Sequence, residues 1–230
     1  MKKWSILIGF ILSIQFSNAQ TVNNHNSLQL EAYDVSGKPL TSIPQNAEGH
    51  PFLNENWGKG LVRLRNGYWI KSIDLQFNLY ENQLYFRKNN NVFLFTDTVS
   101  EFVISFNVDA ENTATGHYKS GYPAIEKKNA ETFYEILAEG QQVHLLKHKY
   151  KTMFEKNAIG EAKRMVYKEG ENYFLYLPAT NKIIRIRLSA SSLKEALPEK
   201  AAAIDAFMAE KKYKLKNEDQ VTALIVYLNQ

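Results

Sequence analysis

The chain of 230 residues contains no cysteine. It therefore forms no disulfide, offers no thiolate nucleophile and holds no metal through cysteine sulfur. It also lacks the cysteine that a lipoprotein carries at its cleavage site. Whatever holds the fold together must be its hydrophobic core, and about 200 residues are enough to bury one.

Signatures of common enzyme classes are absent as well. The sequence has no G-x-S-x-G elbow, no P-loop, no G-x-G-x-x-G after a strand and no aspartate-rich calcium loop. Asp97 and Glu101 could form the carboxylate pair of a glycosidase, but their spacing along the chain does not give their separation in space. These absences favour a non-enzymatic role, and we expect no cofactor.

No apolar run is long enough to cross a bilayer, which takes about 20 residues. The most apolar stretch follows Lys2 and Lys3, covers residues 6–14 and leads into small or polar residues up to Ala19. This order is typical of a secretory signal peptide. We expect cleavage after Ala19 and a mature chain, residues 20–230, that is exported to the periplasm or beyond the cell.

Clustered positive charge is missing too. The formal net charge is +4, but Lys2 and Lys3 belong to the expected signal peptide, and the remaining charges of both signs are interleaved. A nucleic-acid-binding surface needs clustered lysine and arginine to displace counterions. We therefore expect no nucleic-acid partner.

The patterning divides the chain into four parts. Residues 1–19 are the signal peptide, 20–56 a polar lead-in with one strand at 28–33, 57–188 a β-rich body and 189–230 a helical subdomain. In the body, apolar side chains at every second position predict antiparallel hairpins. The fold class is therefore α+β, an antiparallel meander-rich sheet, curved or two-layered, with short C-terminal helices.

Smaller features of the body and the helical part can also be placed. Polar residues 107–130 predict a long surface loop, residues 150–158 a short helix, and Gly170 a turn. Ser192 with Glu195, and Asn217 with Gln220, have the spacing of side chains that cap a helix start.

The Asn66-Gly67 pair predicts a two-residue hairpin turn, because both of its positions favour positive φ. This turn places Leu64 opposite Trp69. The next turn places Leu79 opposite Phe86. With one further turn after Lys88, the registers put a single set of side chains on the core face: Val62, Leu64, Trp69, Ile73, Leu75, Phe77, Leu79, Leu84, Phe86, Phe93 and Phe95.

Several stretches of the chain resemble a group of uncharacterised exported proteins of the Bacteroidetes type. They include EGHPFL at 48–53 with Trp57 and Gly60, FNLY at 77–80, and FYEIL at 133–137. The resemblance covers most of the mature chain and its motifs are structural. It implies export and an α+β fold, and it implies no activity.

The reverse face of the meander carries aromatic side chains that suit a protein or glycan partner. Tyr80 is predicted to lie opposite Tyr85, and in a later hairpin rings lie beside guanidinium groups, where they can stack. The predicted binding residues are Tyr80, Tyr85, Phe174, Tyr176, Arg185 and Arg187. We predict a binding module of the cell envelope, although the sequence leaves open whether helices or a second sheet cover this face.

Two other interpretations remain. Glu135 is predicted opposite His144, and such a pair could orient the general base of a hydrolase whose site borders residues 107–130. Alternatively, a curved sheet could hold a small apolar molecule. A metal is not expected, because in a strand His144 and His148 stand about 13 Å apart at about 3.3 Å per residue.

Overall fold

The computed structural model describes residues 29–30, 37–39, 47–95, 97–156 and 164–230, and every structural statement below concerns these residues. The predicted signal peptide lies outside them, as do most of the predicted strand at 28–33 and the end of the predicted helix at 150–158. Thirteen strands are described, namely β1 Gln29–Leu30, β2 Gly37–Pro39, β3 Ala47–Glu48, β4 Gly58–Leu64, β5 Trp69–Asn78, β6 Gln83–Lys88, β7 Asn91–Phe95, β8 Val99–Asn107, β9 Thr113–Lys119, β10 Tyr134–Ala138, β11 His144–Lys156, β12 Arg164–Leu177 and β13 Lys182–Ile186.

Three helices follow the strands: α1 Ala190–Ala196, α2 Ala201–Lys211 and α3 Glu218–Leu228. Single 3-10 turns occupy Pro178–Thr180 and Pro198–Lys200. Within the described ranges no helix has the length and apolar character needed to cross a membrane. The α+β class is thus confirmed, with an antiparallel-dominated sheet followed by helices.

The strands form one sheet in the order β13-β12-β11-β10-β9-β8-β4-β5-β6-β7-β2. Two short strands join it in parallel, β1 beside β5 and β3 beside β12. Four strands lie between β11 and β5 along the sheet. The Lys151 N–H of β11 nevertheless donates to the Leu79 carbonyl, just after β5, at 3.2 Å. The sheet is therefore strongly bent.

Apolar side chains fill three clusters. The first lies on the concave face of β4 to β9 and joins Phe77 to Phe102 and Tyr118 by ring contacts of 5.2 and 5.3 Å. The second lies between the three helices and β10 to β13 and includes Leu145 and Leu224. The third lies on the opposite face of β10 to β13, so the end of the sheet that holds β12 is buried on both sides.

The predicted core face of the meander is confirmed except at Trp69. The first hairpin pairs Arg63, not Leu64, with Trp69, and this shift by one residue turns the indole to the other face. Ile70 fills the core position instead. A bulge at Ser72, whose φ is +55°, then returns Ile73 to the core.

The register of the next hairpin also differs from the prediction. Phe86 pairs with Leu75 rather than Leu79, because the turn lies at residues 79–82. The shift is by an even number of residues, so the same side chains stay on the core face. The following pairing of Phe86 with Phe93 is confirmed.

Residues 107–130 are not one long loop, since β9 lies within them and pairs along its length with β8. Its sequence TATGHYK has too few apolar residues to show the alternation. Gly116 is needed there because the Tyr118 ring lies where a side chain would begin, with Cε2 only 2.5 Å from an added Cβ.

The predictions of a helix at 150–158 and a turn at Gly170 are wrong. Residues 144–156 form β11 and pair without interruption with β12, with Tyr150 opposite Gly170. The Tyr150 ring covers the glycine, at 2.6 Å from an added Cβ. An aromatic side chain laid over a strand glycine restores the packing that the glycine lacks.

The helix starts are partly as predicted. Asn217 caps α3 by accepting from the Gln220 N–H, as expected. The first cap is Ser189 instead of Ser192, and it accepts a hydrogen bond from the Ser192 N–H. The proposed Ser192–Glu195 capping box is therefore wrong by three residues.

Candidate functional site

The reverse face of the meander is covered where Tyr85 lies. Phe52 packs its ring edge against Tyr85 at 6.0 Å, and Tyr85 is only 2% exposed. Gln76 on the same face donates to the Glu55 carbonyl at 2.9 Å. The segment that leads into β4 therefore covers the predicted platform.

Tyr85 is held by polar partners as well as by packing. Its hydroxyl donates to Glu81 Oε2 at 2.8 Å, and burial followed by this carboxylate raises the pKa of Tyr85 to about 12. Tyr80 is not its cross-strand partner, because Gln76 occupies that position. Tyr80 is 43% exposed and touches Tyr167 edge-on at 5.6 Å.

The aromatic residues of the later hairpin are also mostly buried. Phe174 is fully buried, and Tyr176 packs against Tyr122 and His144 at 5.0 and 5.1 Å. Residues 120–132 cross this face and bring Tyr122 and Ile125 onto it. The sequence gives no signal for this cover, because it depends on contacts between distant parts of the chain.

The predicted arginines lie on the surface beside these rings without stacking on them. Arg185 Nη1 binds Glu126 Oε1 at 3.0 Å, and its other terminal nitrogen donates to Asn172. The cation over Phe174 is instead Lys128, with Nζ 5.3 Å from the ring centre. Arg187 is exposed, and its guanidinium has no ion pair with any described residue.

Arg185 and Arg187 line an open groove of about 740 Å³ between the end of β13, the neighbouring part of β12 and the start of α1. We name this site the β13 groove. Its lining residues are Glu171, Asn172, Tyr173, Arg185, Ile186, Arg187, Leu188, Ser189, Ser191, Ser192 and Glu195. Of the six predicted binding residues, it contains only the two arginines.

A charged network holds Glu171 and Tyr173, two of the residues that line the β13 groove. The Tyr173 hydroxyl lies 2.8 Å from both Glu171 Oε1 and Glu218 Oε2, so the two carboxylates share its single proton. Lys147 Nζ binds Glu218 at 2.6 Å and Glu171 at 3.3 Å. Hydrogen bonds from Lys147 and Tyr173 hold the pKa of Glu218 below its usual value in spite of burial. Because both carboxylates already bind partners within the protein, their negative charges are largely neutralised and they help to hold the fold together.

The alternative polar site is not formed. Glu135 pairs with Lys147, not with His144, because the connection between β10 and β11 covers residues 139–143 and so moves the register. The Glu135 carboxylate binds Lys149 at 3.1 Å. The observed partner of Glu135 is thus three residues beyond the predicted one.

His144 lies in a different setting from the one expected. Its Nδ1 is 3.5 Å from the Tyr122 hydroxyl and 3.9 Å from Glu139 Oε1. Burial lowers the pKa of His144. His144 and His148 both belong to β11, as the strand prediction required.

Asp97 and Glu101 have different surroundings in the structure. Glu101 binds His117 Nε2 at 2.6 Å on the β8–β9 ladder, and this hydrogen bond holds the pKa of Glu101 below its usual value. Asp97 lines a separate open cavity of about 460 Å³ together with Glu81 and Glu131. In the described ranges, no three histidine or acidic side chains are arranged to hold a metal ion.

The fold and the groove define a sheet-rich α+β protein with a charged surface groove at one end of its sheet. No protein-family model matches the chain, and neither the curated proteins nor the solved structures compared with it include a match.

Proposed function

We propose that this protein is exported to the cell envelope and acts there as a non-enzymatic binding module, with the β13 groove as its binding site. The proposal depends on one observation. Arg187 presents an exposed guanidinium without an ion pair in the described part of the chain, at an open groove that also contains Arg185. Guanidinium groups favour planar acidic partners because they bind them through two hydrogen bonds.

The surroundings of Arg187 support an acidic partner. Arg185 is partly neutralised by Glu126, and Glu171 is bonded to Lys147 and to the Tyr173 hydroxyl. Arg187 thus contributes a positive charge that internal partners do not cancel. Serines 189, 191 and 192 line the same groove and supply hydroxyl groups for further hydrogen bonds.

The two other interpretations have less support. A hydrolase built on Glu135 and His144 lacks the contact between them that it requires. A carrier of an apolar molecule needs free space on the concave face of the sheet. Phe77, Phe102 and Phe133 fill part of that face with ring contacts of 5.0 to 5.7 Å.

Export is supported by the order of charged, apolar and small residues in positions 1–19. Its test is direct. The amino terminus of protein purified from the native envelope should begin at Gln20, and a cytoplasmic protein that retains Lys2 and Lys3 would contradict export.

The binding role is tested by capture from envelope extract with tagged mature protein. The double variant R185A/R187A should lose the specifically captured partner. The matched control R65A/K71A removes two exposed charges from the first hairpin and should retain it. Capture that is equal for both variants would refute the β13 groove as the binding site, and circular dichroism of each variant checks that it is folded.

A further inference from the structure

The strand β13 is one end of the sheet. Its five residues pair with β12, and no strand in the described ranges pairs with its other side. An end strand of this kind presents unpaired N–H and C=O groups, to which an extended peptide can add as a further strand.

The direction of the unpaired groups follows from Arg187. Its N–H donates to the Ser192 hydroxyl at 3.0 Å and not to β12. Because strand N–H groups alternate in direction, those of Arg185 and Ile183 face the same open side. The Ile183 and Ile186 side chains are buried and hold this edge in place, so it is formed before any partner arrives.

Charge decides which partner fits. Lys182, Arg185 and Arg187 are exposed along the edge, and Lys182 and Arg187 have no ion pair within the described ranges. An acidic segment would place carboxylates beside these cations. A second copy of β13 would instead bring like charges together, which destabilises cross-strand pairs.

We propose that an extended acidic segment of a partner protein adds to the outer edge of β13 as a strand, and that it places carboxylates beside Lys182 on one face of the sheet and beside Arg187 on the other. This inference rests on the proposed binding function and specifies the class of partner. The start of α1 limits the added strand at one end, since the Arg187 N–H and C=O are already used by Ser192 and Ser189.

The test uses isotope-labelled mature protein and three synthetic peptides of equal length. In the first, glutamates occupy both odd and even positions among valines and threonines, so that both faces of the added strand carry carboxylates. The second replaces glutamate with lysine, and the third keeps glutamate but is N-methylated at alternate backbone nitrogens. N-methylation removes the hydrogen bonds of strand addition and leaves the charges unchanged, so it separates pairing from simple attraction.

We expect the acidic peptide to shift the amide signals of Ile183 and Arg185 and to slow their hydrogen exchange. The lysine peptide and the N-methylated peptide should each bind about tenfold more weakly or worse, a difference of about 1.4 kcal/mol. A K182A/R187A variant should bind the acidic peptide several-fold more weakly, and R65A/K71A should bind it as the unmodified protein does.

Three results with the peptides would overturn strand addition. They are the absence of binding by the acidic peptide, equal binding by its N-methylated form, and signal changes confined to other strands. Self-association through β13, seen as a dimer in sedimentation that protects the same amides, would also overturn it. If envelope capture still depends on Arg185 and Arg187 in any of these cases, the binding function stands and only the mode of binding is wrong.

Discussion

His148 should make the stability of the protein fall as the pH falls below about 6.5. Its ring packs between Tyr134 and Tyr150 at 5.7 and 5.5 Å, and its buried Nδ1 has no hydrogen-bond partner among the described residues. Burial, followed by the nearby positive charge of Lys128, lowers the pKa of His148 from 6.5 to about 4.

The sign and size of this pH dependence follow from the coupling between proton binding and unfolding. Between pH 6.5 and about 4 the unfolded chain binds a proton at this position that the folded chain does not, so acidification favours unfolding. Each pKa unit corresponds to about 1.4 kcal/mol, so the full loss is at most about 3 kcal/mol. The contribution is fully present above pH 6.5, and the loss is complete below about pH 4.

The measurement compares the unmodified protein with H148F, which keeps an aromatic ring beside Tyr150 and does not titrate. Urea unfolding at several pH values from 7.5 to about 4 gives the free energy of unfolding of each protein. As the pH falls, the free energy of unfolding of H148F should rise relative to that of the unmodified protein by up to about 3 kcal/mol. Parallel pH profiles, or a His148 ring that titrates near 6.5 by NMR, would refute the reasoning.

Three further substitutions test the packing by urea unfolding. K151M should destabilise the protein by about 2 to 4 kcal/mol, because Lys151 Nζ donates to the carbonyls of His50 and Phe52. An unchanged stability would contradict the role of Lys151 in holding residues 50–52 in place. Y134F should be neutral or slightly stabilising, because the buried Tyr134 hydroxyl has no hydrogen-bond partner in the part of the chain that the structure describes. A loss above about 1 kcal/mol would contradict this. G60A should destabilise by about 1 to 3 kcal/mol or more, because an added Cβ would lie 2.1 Å from a β5 leucine, and a stable variant would contradict that close approach.

The core face was predictable because alternation survives errors in register. Phe86 pairs four residues from its predicted partner, yet it stays in the core, since a shift by an even number keeps the face. The prediction for Trp69 was wrong because the register of the first hairpin shifts by one residue, which changes the face of the side chain. The bulge at Ser72 restores the predicted face only from Ile73 onward. A bulge at a non-glycine residue leaves no clear mark in the sequence.

The candidate site was harder to predict because it depends on what covers each surface. Exposure of Tyr85 was decided by Phe52, and exposure of Phe174 by residues 120–132. Both covers are irregular segments without a periodic pattern, so the sequence indicates neither their path nor their contacts. Arg185 and Arg187 are exposed, in keeping with the rule that charged side chains are seldom buried without partners.

The two ends of the sheet differ in a way that favours recognition at β13. At the other end β2 has only three residues, and its last, Pro39, has no N–H to offer a partner. At β13 the outer edge of five residues contains no proline and remains open to a further strand. Positive charge is its chief protection against aggregation. Charge blocks neutral and basic strands but attracts acidic ones. The same feature that keeps this edge from aggregating would therefore select its partner.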